Sequence, residues 1–299
     1  MSLVEHFRDF CEDELPIEEW ELNRWQDRLK KITKKLNREY YPNNDFEDIE
    51  SDNCYIVGSV GRRTAIAQTS DFDCIFKLPQ TVYDRFNRHS GNGQSKLLQE
   101  VKEVIAQTYP STKMKGDGQV VSITFTTCPA GTIELVPAFE QDNGDFKYPN
   151  TKNGGSWKIT KPTPEITECC RLSDETNGHF INFCMLLRKW KNTNGFTFKG
   201  LLIDTMVSDY LEDAGINSFG YSDYEELIPN LFKYLSEQNK ERSYWLALGS
   251  NQQIENNDNG KFVDKAKKTY NLLKCSSDII KDYRATFGNR FAKSDPSVS

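Results

Sequence analysis

The sequence lacks a long hydrophobic segment. No apolar run in its 299 residues approaches the roughly 20 residues that a membrane-spanning helix needs. The first residues are charged and do not contain the apolar core of a signal peptide. Hydrophobic residues make up 37% of the chain and charged residues 27%, a balance typical of globular proteins large enough to bury a substantial core. We therefore expect a cytoplasmic protein without a membrane partner.

An excess of basic charge is also absent. The formal net charge is −6 at neutral pH, whereas proteins that bind long nucleic acids usually carry a basic surface. The charge argues against long nucleic acid as a partner and favours small nucleotides. The exception is a predicted amphipathic helix over 17–41, whose other faces are basic (Arg24, Lys30, Lys31, Lys34, Lys35 and Arg38). Its apolar stripe comprises Trp20, Trp25, Leu29, Ile32 and Leu36. A solvated face is the preferred interpretation, and a nucleic-acid sensing surface is the alternative.

The eight cysteines include no Cys-x-x-Cys pair. One cluster, Cys169, Cys170, His179 and Cys184, raises the question of a zinc site. The stretch from His179 to Cys184 has the pattern of a helix, and the spacing differs from that of structural zinc sites. We therefore favour reduced, buried thiols over a metal site.

The stretch 54–79 organises the chain around it. Residues 54–57 are apolar and predict a short buried strand, after which Gly58 allows a sharp turn without a Cβ. Ser59 places a hydroxyl and an amide at the start of a helix predicted over 59–67, a suitable place for a phosphate. Asp71 and Asp73 then open a second strand, where residues two apart face the same side. A phosphate site facing two carboxylates is what metal-dependent phosphoryl or nucleotidyl transfer requires.

The remaining pattern gives the organisation of the chain. Helices are predicted over 83–89 and from 95 to about 108, a turn at 116–118, and a hairpin of strands 119–126 and 132–137 that carries Glu134. The Gly-, Asn- and Pro-rich stretch 141–164 is the best hinge or lobe boundary. Beyond it, helices are predicted from 177, from 200, over 223–237 and over 262–284. Phe180, Phe183, Leu187 and Trp190 form the buried stripe of the first.

The run GSVGRRTAIAQTSDFDCIF resembles the motif of the DNA polymerase β-like nucleotidyltransferases. Within them it is most similar to the branch of oligoadenylate synthases and cyclic GMP–AMP synthases. The GRRTA run and the later IELVPAF resemble the bacterial members, the CD-NTases of anti-phage signalling systems. The resemblance implies a bilobed α+β fold. Residues 1–160 would form a mixed-sheet catalytic lobe with a spine helix, and residues 161–299 a helical C-terminal lobe.

The resemblance also implies a site. Asp71, Asp73 and a third acid at Glu134 would be catalytic and would hold two Mg²⁺ ions, for which Mn²⁺ can substitute. Most family members have Asp at the third position, so Glu134 is a departure that changes the reach of the carboxylate. The triphosphate would be bound by the remaining predicted site residues, Gly58, Ser59, Arg188 and Lys199.

The implied function is the joining of nucleoside triphosphates (ATP, with GTP or pyrimidine nucleotides as further substrates) into a cyclic di- or trinucleotide. Pyrophosphate would be released, and the product would act as a second messenger on a downstream effector in anti-phage defence. Three alternatives stay open: a linear 2′–5′ oligoadenylate synthase, a tRNA- or protein-modifying nucleotidyltransferase, and a catalytically inactive nucleotide-binding scaffold. The resemblance leaves open a regulatory protein partner.

Charge reversal of the basic helix tests the solvated-face interpretation. Reversing Lys30, Lys31, Lys34, Lys35 and Arg38 should leave basal product formation unchanged, because a solvated face contributes nothing to chemistry. Duplex DNA or RNA at physiological salt should not stimulate the unmodified protein. Turnover of labelled nucleotide with and without duplex measures both effects. Stimulation that disappears on charge reversal would make the protein a nucleic-acid sensor.

Overall fold

The computed structural model describes residues 1–67 and 69–293 and confirms the α+β class. The helices are α1 Leu3–Asp9, α2 Glu19–Tyr40, α3 Gly58–Gly61, α4 Gln80–Asn87, α5 Gly93–Ala106, α6 Pro162–Glu175, α7 His179–Thr193, α8 Gly200–Asp213, α9 Tyr224–Ser236, α10 Lys261–Lys274 and α11 Ile279–Phe287. The strands are β1 Cys54–Ile56, β2 Asp71–Lys77, β3 Lys113–Asp117, β4 Val120–Phe125, β5 Gly131–Glu140, β6 Phe146–Asn150, β7 Ser156–Thr160, β8 Tyr244–Leu246 and β9 Gln253–Glu255. A π-helix, Phe10–Glu14, follows α1, and short 3-10 turns lie at Lys152–Gly154 and Tyr221–Asp223. None of the helices in these described ranges is both long and apolar enough to span a membrane.

The described residues divide into two compact units. The sheet unit comprises residues 17–61 and 69–163, and the helical unit comprises residues 1–16, 62–67 and 164–293. The division falls close to the expected boundary near residue 160, but it groups residues 1–16 and 62–67 with the C-terminal part. The two domains 1–160 and 161–299 therefore stay a prediction.

The sheet unit is built on a mixed sheet in the order β1-β2-β5-β4-β3. Only the central pair, β2 and β5, is parallel in this path; the other neighbours are antiparallel. The far end of β5 continues into antiparallel pairing with β6, which pairs with β7. One face of the central strands is buried against α2 and α5, and its residues include Phe72, Cys74, Ile133 and Leu135. The side chains that alternate with these face away from that core.

The helical unit has its own apolar core. The predicted stripe of α7 is confirmed, because Phe180, Phe183, Leu187 and Trp190 are each no more than 1% exposed. The Trp190 indole donates to the Thr269 hydroxyl at 3.0 Å, so its one polar atom is satisfied inside the core. The strands β8 and β9 form a separate antiparallel hairpin in this unit.

The helix predicted over 59–67 is wrong in length. Only the turn Gly58–Gly61 is helical, and Arg63 takes the left-handed backbone conformation with φ of 62°. A helix cannot continue through a residue in that conformation. The side chains of Arg62 and Thr64 instead bind a buried carboxylate, Asp204.

Two further segments differ from the expectation. The stretch 141–164 contains the hairpin of β6 and β7. Its buried Phe146 and the Trp157 ring pack against apolar cores, although the composition of the stretch is typical of a loop. The helix expected over 262–284 is two helices, α10 and α11. Asp278 begins the second by accepting from the Lys281 amide at 3.1 Å.

Smaller differences occur elsewhere. The turn expected at 116–118 lies later, since β3 extends through Asp117. Trp20, placed in the apolar stripe of the long helix, is 54% exposed, because it lies at the helix start, ahead of the sheet core. The helices α1 and α6 and the π-helix were not predicted.

The turn after β1 is shaped by contact with β2. Gly58 has φ of +63°, and a Cβ built on it would overlap the Asp73 carboxylate oxygen Oδ2. The Val57 amide donates to the Asp73 carbonyl at 3.0 Å, which holds the turn against the strand. The Gly58-Ser59 turn therefore lies directly against one of the predicted catalytic carboxylates.

Replacing Gly58 with alanine tests this contact, and Gly118→Ala is the matched control. Gly118 has nearly the same φ, +66°, but nothing lies within 4 Å of its Cβ position. Both variants should lose about 1 to 2 kcal/mol from left-handed strain. Only Gly58→Ala must also displace the Asp73 side chain, so we expect it to lose more unfolding free energy in urea denaturation. Equal losses would show that Asp73 does not press on this turn.

Candidate active site

The three predicted catalytic acids lie on the two parallel strands. In the register of β2 and β5, Asp73 is opposite Glu134 and Asp71 is opposite Thr132. Residues in register on neighbouring strands project to the same face, and so do residues two apart on one strand. The structure therefore brings Asp71, Asp73 and Glu134 onto one face of the sheet.

That face is open where the acids lie. Asp71 is exposed, and Asp73 and Glu134 are half-buried, while the alternating residues Phe72 and Ile133 belong to the core on the other side. This alternation follows from the sequence, because a charged–apolar–charged run can bury only its apolar member. The carboxylates are accessible to a ligand while their strands stay fixed by the core.

The local electrostatics are unfavourable to charge at Glu134. Burial raises the pKa of Glu134, and the neighbouring Asp71 carboxylate raises it further. A raised pKa means that folding disfavours the ionised form, so stability contributed by protonated Glu134 is lost as the pH rises through its folded-state pKa. A cation between these groups would relieve that cost.

The three acids supply the kind of donor that a magnesium site requires. Carboxylate oxygens are the donors that Mg²⁺ prefers, and all three acids share a face, so the donor set fits. Across residues 1–67 and 69–293, however, no three His, Cys, Asp or Glu side chains are gathered closely enough to hold a metal ion. Metal binding by these acids therefore stays a prediction, and it requires their side chains to turn toward a common point.

The helical unit places Arg188 in a buried ion pair. Its guanidinium is 4% exposed and donates to both oxygens of Asp204, at 2.6 and 2.9 Å. Its remaining contacts are the backbone carbonyls of Cys184 at 3.2 Å and Gly200 at 3.0 Å. The predicted role of Arg188 as a triphosphate ligand is untested, and its donors are already engaged within this unit.

Asp204 is the centre of that network and was missed by the sequence reasoning. Its carboxylate also accepts from Arg62 Nε at 2.8 Å and from the Thr64 hydroxyl at 3.2 Å. Burial alone would raise the pKa of Asp204, but Arg188 and Arg62 outweigh it and hold the pKa below its usual value. The available signal was a carboxylate within an apolar helix, which needs a cationic partner.

Lys199 lies at the start of α8, beside a cavity of about 250 Å³ in the helical unit. Its Nζ donates to the Glu255 backbone carbonyl at 2.5 Å. The cavity is also lined by Asn256, Asp258 and Lys261. Its polar rim leaves room for a charged ligand, although binding of phosphate by Lys199 stays a prediction.

The two alternatives raised by the sequence can be located in the structure. Cys169 and Cys184 are buried, and burial raises the pKa of both thiols, which makes them poor nucleophiles. On the basic helix, Lys34 pairs with Glu50 at 2.8 Å, while the Lys35–Glu39 pair is longer at 3.5 Å. Lys30, Lys31 and Arg38, the other three basic side chains in the charge-reversal test, are exposed.

Known structures share this fold over nearly the whole chain. Escherichia coli MS115-1 CdnC, solved with ATP, aligns with a TM-score of 0.70 and 14% identity, over 97% of this chain and 98% of that chain. The same protein in complex with a HORMA protein aligns with a TM-score of 0.70 and 15% identity, over 97% of this chain and 98% of that chain. Vibrio cholerae DncV, a cyclic AMP–GMP synthase solved with nonhydrolyzable GTP, gives 0.67 and 12% identity, over 97% and 96%. These TM-scores establish a common fold, which confirms the predicted fold class.

The family itself is shown at the level of sequence. No curated protein matches the chain significantly. The model of the Second Messenger Oligonucleotide or Dinucleotide Synthetase domain matches residues 1–171, more than half of the chain, including both strands that carry the three acids. The chain therefore belongs to the family of second messenger oligonucleotide or dinucleotide synthetases.

Proposed function

We propose that this protein joins nucleoside triphosphates into a cyclic di- or trinucleotide second messenger, with release of pyrophosphate. The observation that carries the proposal is the register of β2 and β5, which puts Asp71, Asp73 and Glu134 on one open face beside the Gly58 turn. Membership of the synthetase family and the relatives solved with ATP and with a GTP analogue support nucleotides as substrates. The resemblance to bacterial CD-NTases supports a role in anti-phage defence.

In this proposal Asp71 and Asp73 act on the donor nucleotide, and Glu134 acts on the acceptor nucleotide. Asp71 and Asp73 would hold the Mg²⁺ ion on the triphosphate of the donor, and we assign Glu134 to the acceptor ribose. Glu134 accepts the proton of the attacking hydroxyl, a role for which a raised pKa is suited. The hydroxyl oxygen forms a bond to the α-phosphorus as the bond to pyrophosphate breaks. Two Mg²⁺ ions, when bound, would stabilise the charge on the attacking and leaving oxygens.

The proposal also assigns ligands to the phosphates of the donor. The Gly58 turn lies against the Asp73 carboxylate, and we assign the Ser59 hydroxyl and the backbone amides of this turn as donors to the triphosphate. Lys199 is the remaining cation that we assign to the departing pyrophosphate. We do not assign this role to Arg188, because Asp204 and two backbone carbonyls already occupy its donors.

The proposed partners are small molecules and one protein. ATP, with GTP or a pyrimidine nucleotide, supplies the donor and acceptor, and the product carries the signal to an effector. The CdnC complex with a HORMA protein supports a regulatory protein partner. Long nucleic acid is not part of the proposal, given the net charge of −6.

Labelled nucleotides identify the product and test the function directly. The protein is incubated with each nucleoside triphosphate and Mg²⁺, and the products are resolved after phosphatase treatment. A cyclic product resists phosphatase because it has no terminal phosphate, and it is the expected result. A linear product that loses its end phosphates would instead indicate an oligoadenylate synthase, and no product with any nucleotide pair would indicate an inactive scaffold.

Neutralising the first two acids should remove activity without harming the fold. The double variant Asp71→Asn, Asp73→Asn should form product more slowly by orders of magnitude. Its melting temperature should hold or rise, because the mutual repulsion of the carboxylates is relieved. Asp117→Asn, an exposed acid on β3, is the control and should keep full activity. A double variant that still forms product would remove these acids from the active site.

Glu134 should tolerate shortening better than loss of its charge. Glu134→Asp withdraws the carboxylate by about one bond, and a ~1 Å misplacement can cost about a hundredfold in rate. Glu134→Gln should be slower still, because the acceptor hydroxyl loses its proton acceptor. Donor binding should change little in either variant, and Glu103→Gln, exposed on α5, should match the wild type. Full synthesis by Glu134→Gln would mean that the third acid lies elsewhere.

A further inference from the structure

Arg28 is a buried cation held by backbone groups. It lies in α2 and is 7% exposed. Nη1 donates to the Pro129 carbonyl at 2.7 Å, and Nη2 donates to the carbonyl and hydroxyl of Thr127, both at 3.1 Å. Among residues 1–67 and 69–293, no carboxylate lies within ion-pair distance of Arg28. A buried charge without a counter-ion is expensive, so the stability of Arg28 in this place depends on the groups that it binds.

The groups bound by Arg28 form the turn between β4 and β5. Its guanidinium carbon lies 4.6 Å from the ring centre of Trp25 and 4.4 Å from that of Phe125, the last residue of β4. The cation therefore contacts aromatic faces while its planar donors reach the turn. A lysine in the same place would donate from a single nitrogen and would lack the planar fork that reaches Thr127 and Pro129 together.

Trp25 lies one turn earlier in α2 and packs against Gly131, the first residue of β5. A Cβ on Gly131 would lie 2.9 Å from Trp25 Cζ2 and 2.5 Å from the Ser70 carbonyl. Trp25 also stacks on Phe72, with ring centres 6.2 Å apart and planes 24° apart. Two side chains of α2 thus contact both the end of the turn and the start of β2.

These contacts lie where the register of the catalytic strands begins. The Thr132 amide donates to the Ser70 carbonyl at 2.8 Å, which joins β5 to the residue before Asp71. Glu134 follows two residues later, opposite Asp73. If the turn loosens, the start of β5 loosens with it, because the position of each strand residue depends on the pairing before it. Glu134 is two residues beyond Thr132 and would therefore be displaced.

We propose that Arg28 is a positioning residue of the active site, which acts from the opposite face of the sheet by fixing the turn 127–131 and so holding Glu134 beside Asp73. This inference rests on the proposed function for its catalytic consequence, but the restraint of the turn is independent of any reaction. Arg28 touches neither the acids nor the position of a substrate, so its effect is on geometry alone.

The experiment compares Arg28→Met with Arg24→Met. Arg24 is exposed one turn earlier on the same helix, and it controls for loss of one positive charge. Hydrogen exchange of the full-length protein should show faster exchange over 127–134 in Arg28→Met. Exchange in β3 and α5 should match the wild type. The kcat of Arg28→Met should fall about 10- to 100-fold while the nucleotide KM stays within about twofold.

Arg28→Lys extends the test in case the methionine variant does not fold, because it keeps the charge and a single donor nitrogen. We expect intermediate exchange over 127–134 and intermediate kcat. Unchanged exchange in this segment in both variants would overturn the restraint, and faster exchange with an unchanged kcat would overturn the positioning role. A uniform rise in exchange across the sheet would show a purely structural residue. If the wild type forms no product, the proposed function fails while the exchange data still test the restraint.

Discussion

The parallel pairing of β2 with β5 is the constraint on which the candidate site depends. It is the one parallel contact in the path of the sheet from β1 to β3, and it sets Asp73 opposite Glu134. A slip by one residue would turn a whole set of side chains to the other face, exposing Ile133 and burying a carboxylate. The apolar core behind the sheet therefore fixes the position of the acids on its front, although it touches none of them.

The two units differ in how the charge of their buried or half-buried carboxylates is compensated. In the helical unit, Asp204 is fully buried, and two arginines compensate its charge, so the network stabilises the fold but leaves little of it free for a ligand. In the sheet unit, by contrast, burial and the neighbouring Asp71 carboxylate raise the pKa of Glu134 and so make its ionised form costly. Acids that a fold keeps together at a cost to stability are typical of catalytic sites.

Much of this arrangement could be predicted from the sequence, because alternation of apolar and charged residues decides which face a strand buries. The strands of the acids, the common face of Asp71 and Asp73 and most of the helices follow from that pattern, whereas the place of Glu134 beside them followed from the family resemblance. The partners of isolated charges could not be predicted. Nothing local joins Arg188 to Asp204, or distinguishes buried Arg28 from the exposed basic residues of its helix. The hairpin within 141–164 was concealed by its turn residues, and Trp20 showed that helical spacing does not reveal where the core ends.

The central claim is that the three acids on β2 and β5 act together on one metal-bound nucleotide. Crystals grown with Mn²⁺ and a nonhydrolysable ATP analogue test it most directly, since the anomalous signal of Mn²⁺ locates the metal without reference to activity. We expect manganese bound by Asp71 and Asp73, with Glu134 turned toward it and the triphosphate against the Gly58-Ser59 turn. Manganese and nucleotide bound away from this face, with the three carboxylates unliganded, would contradict it.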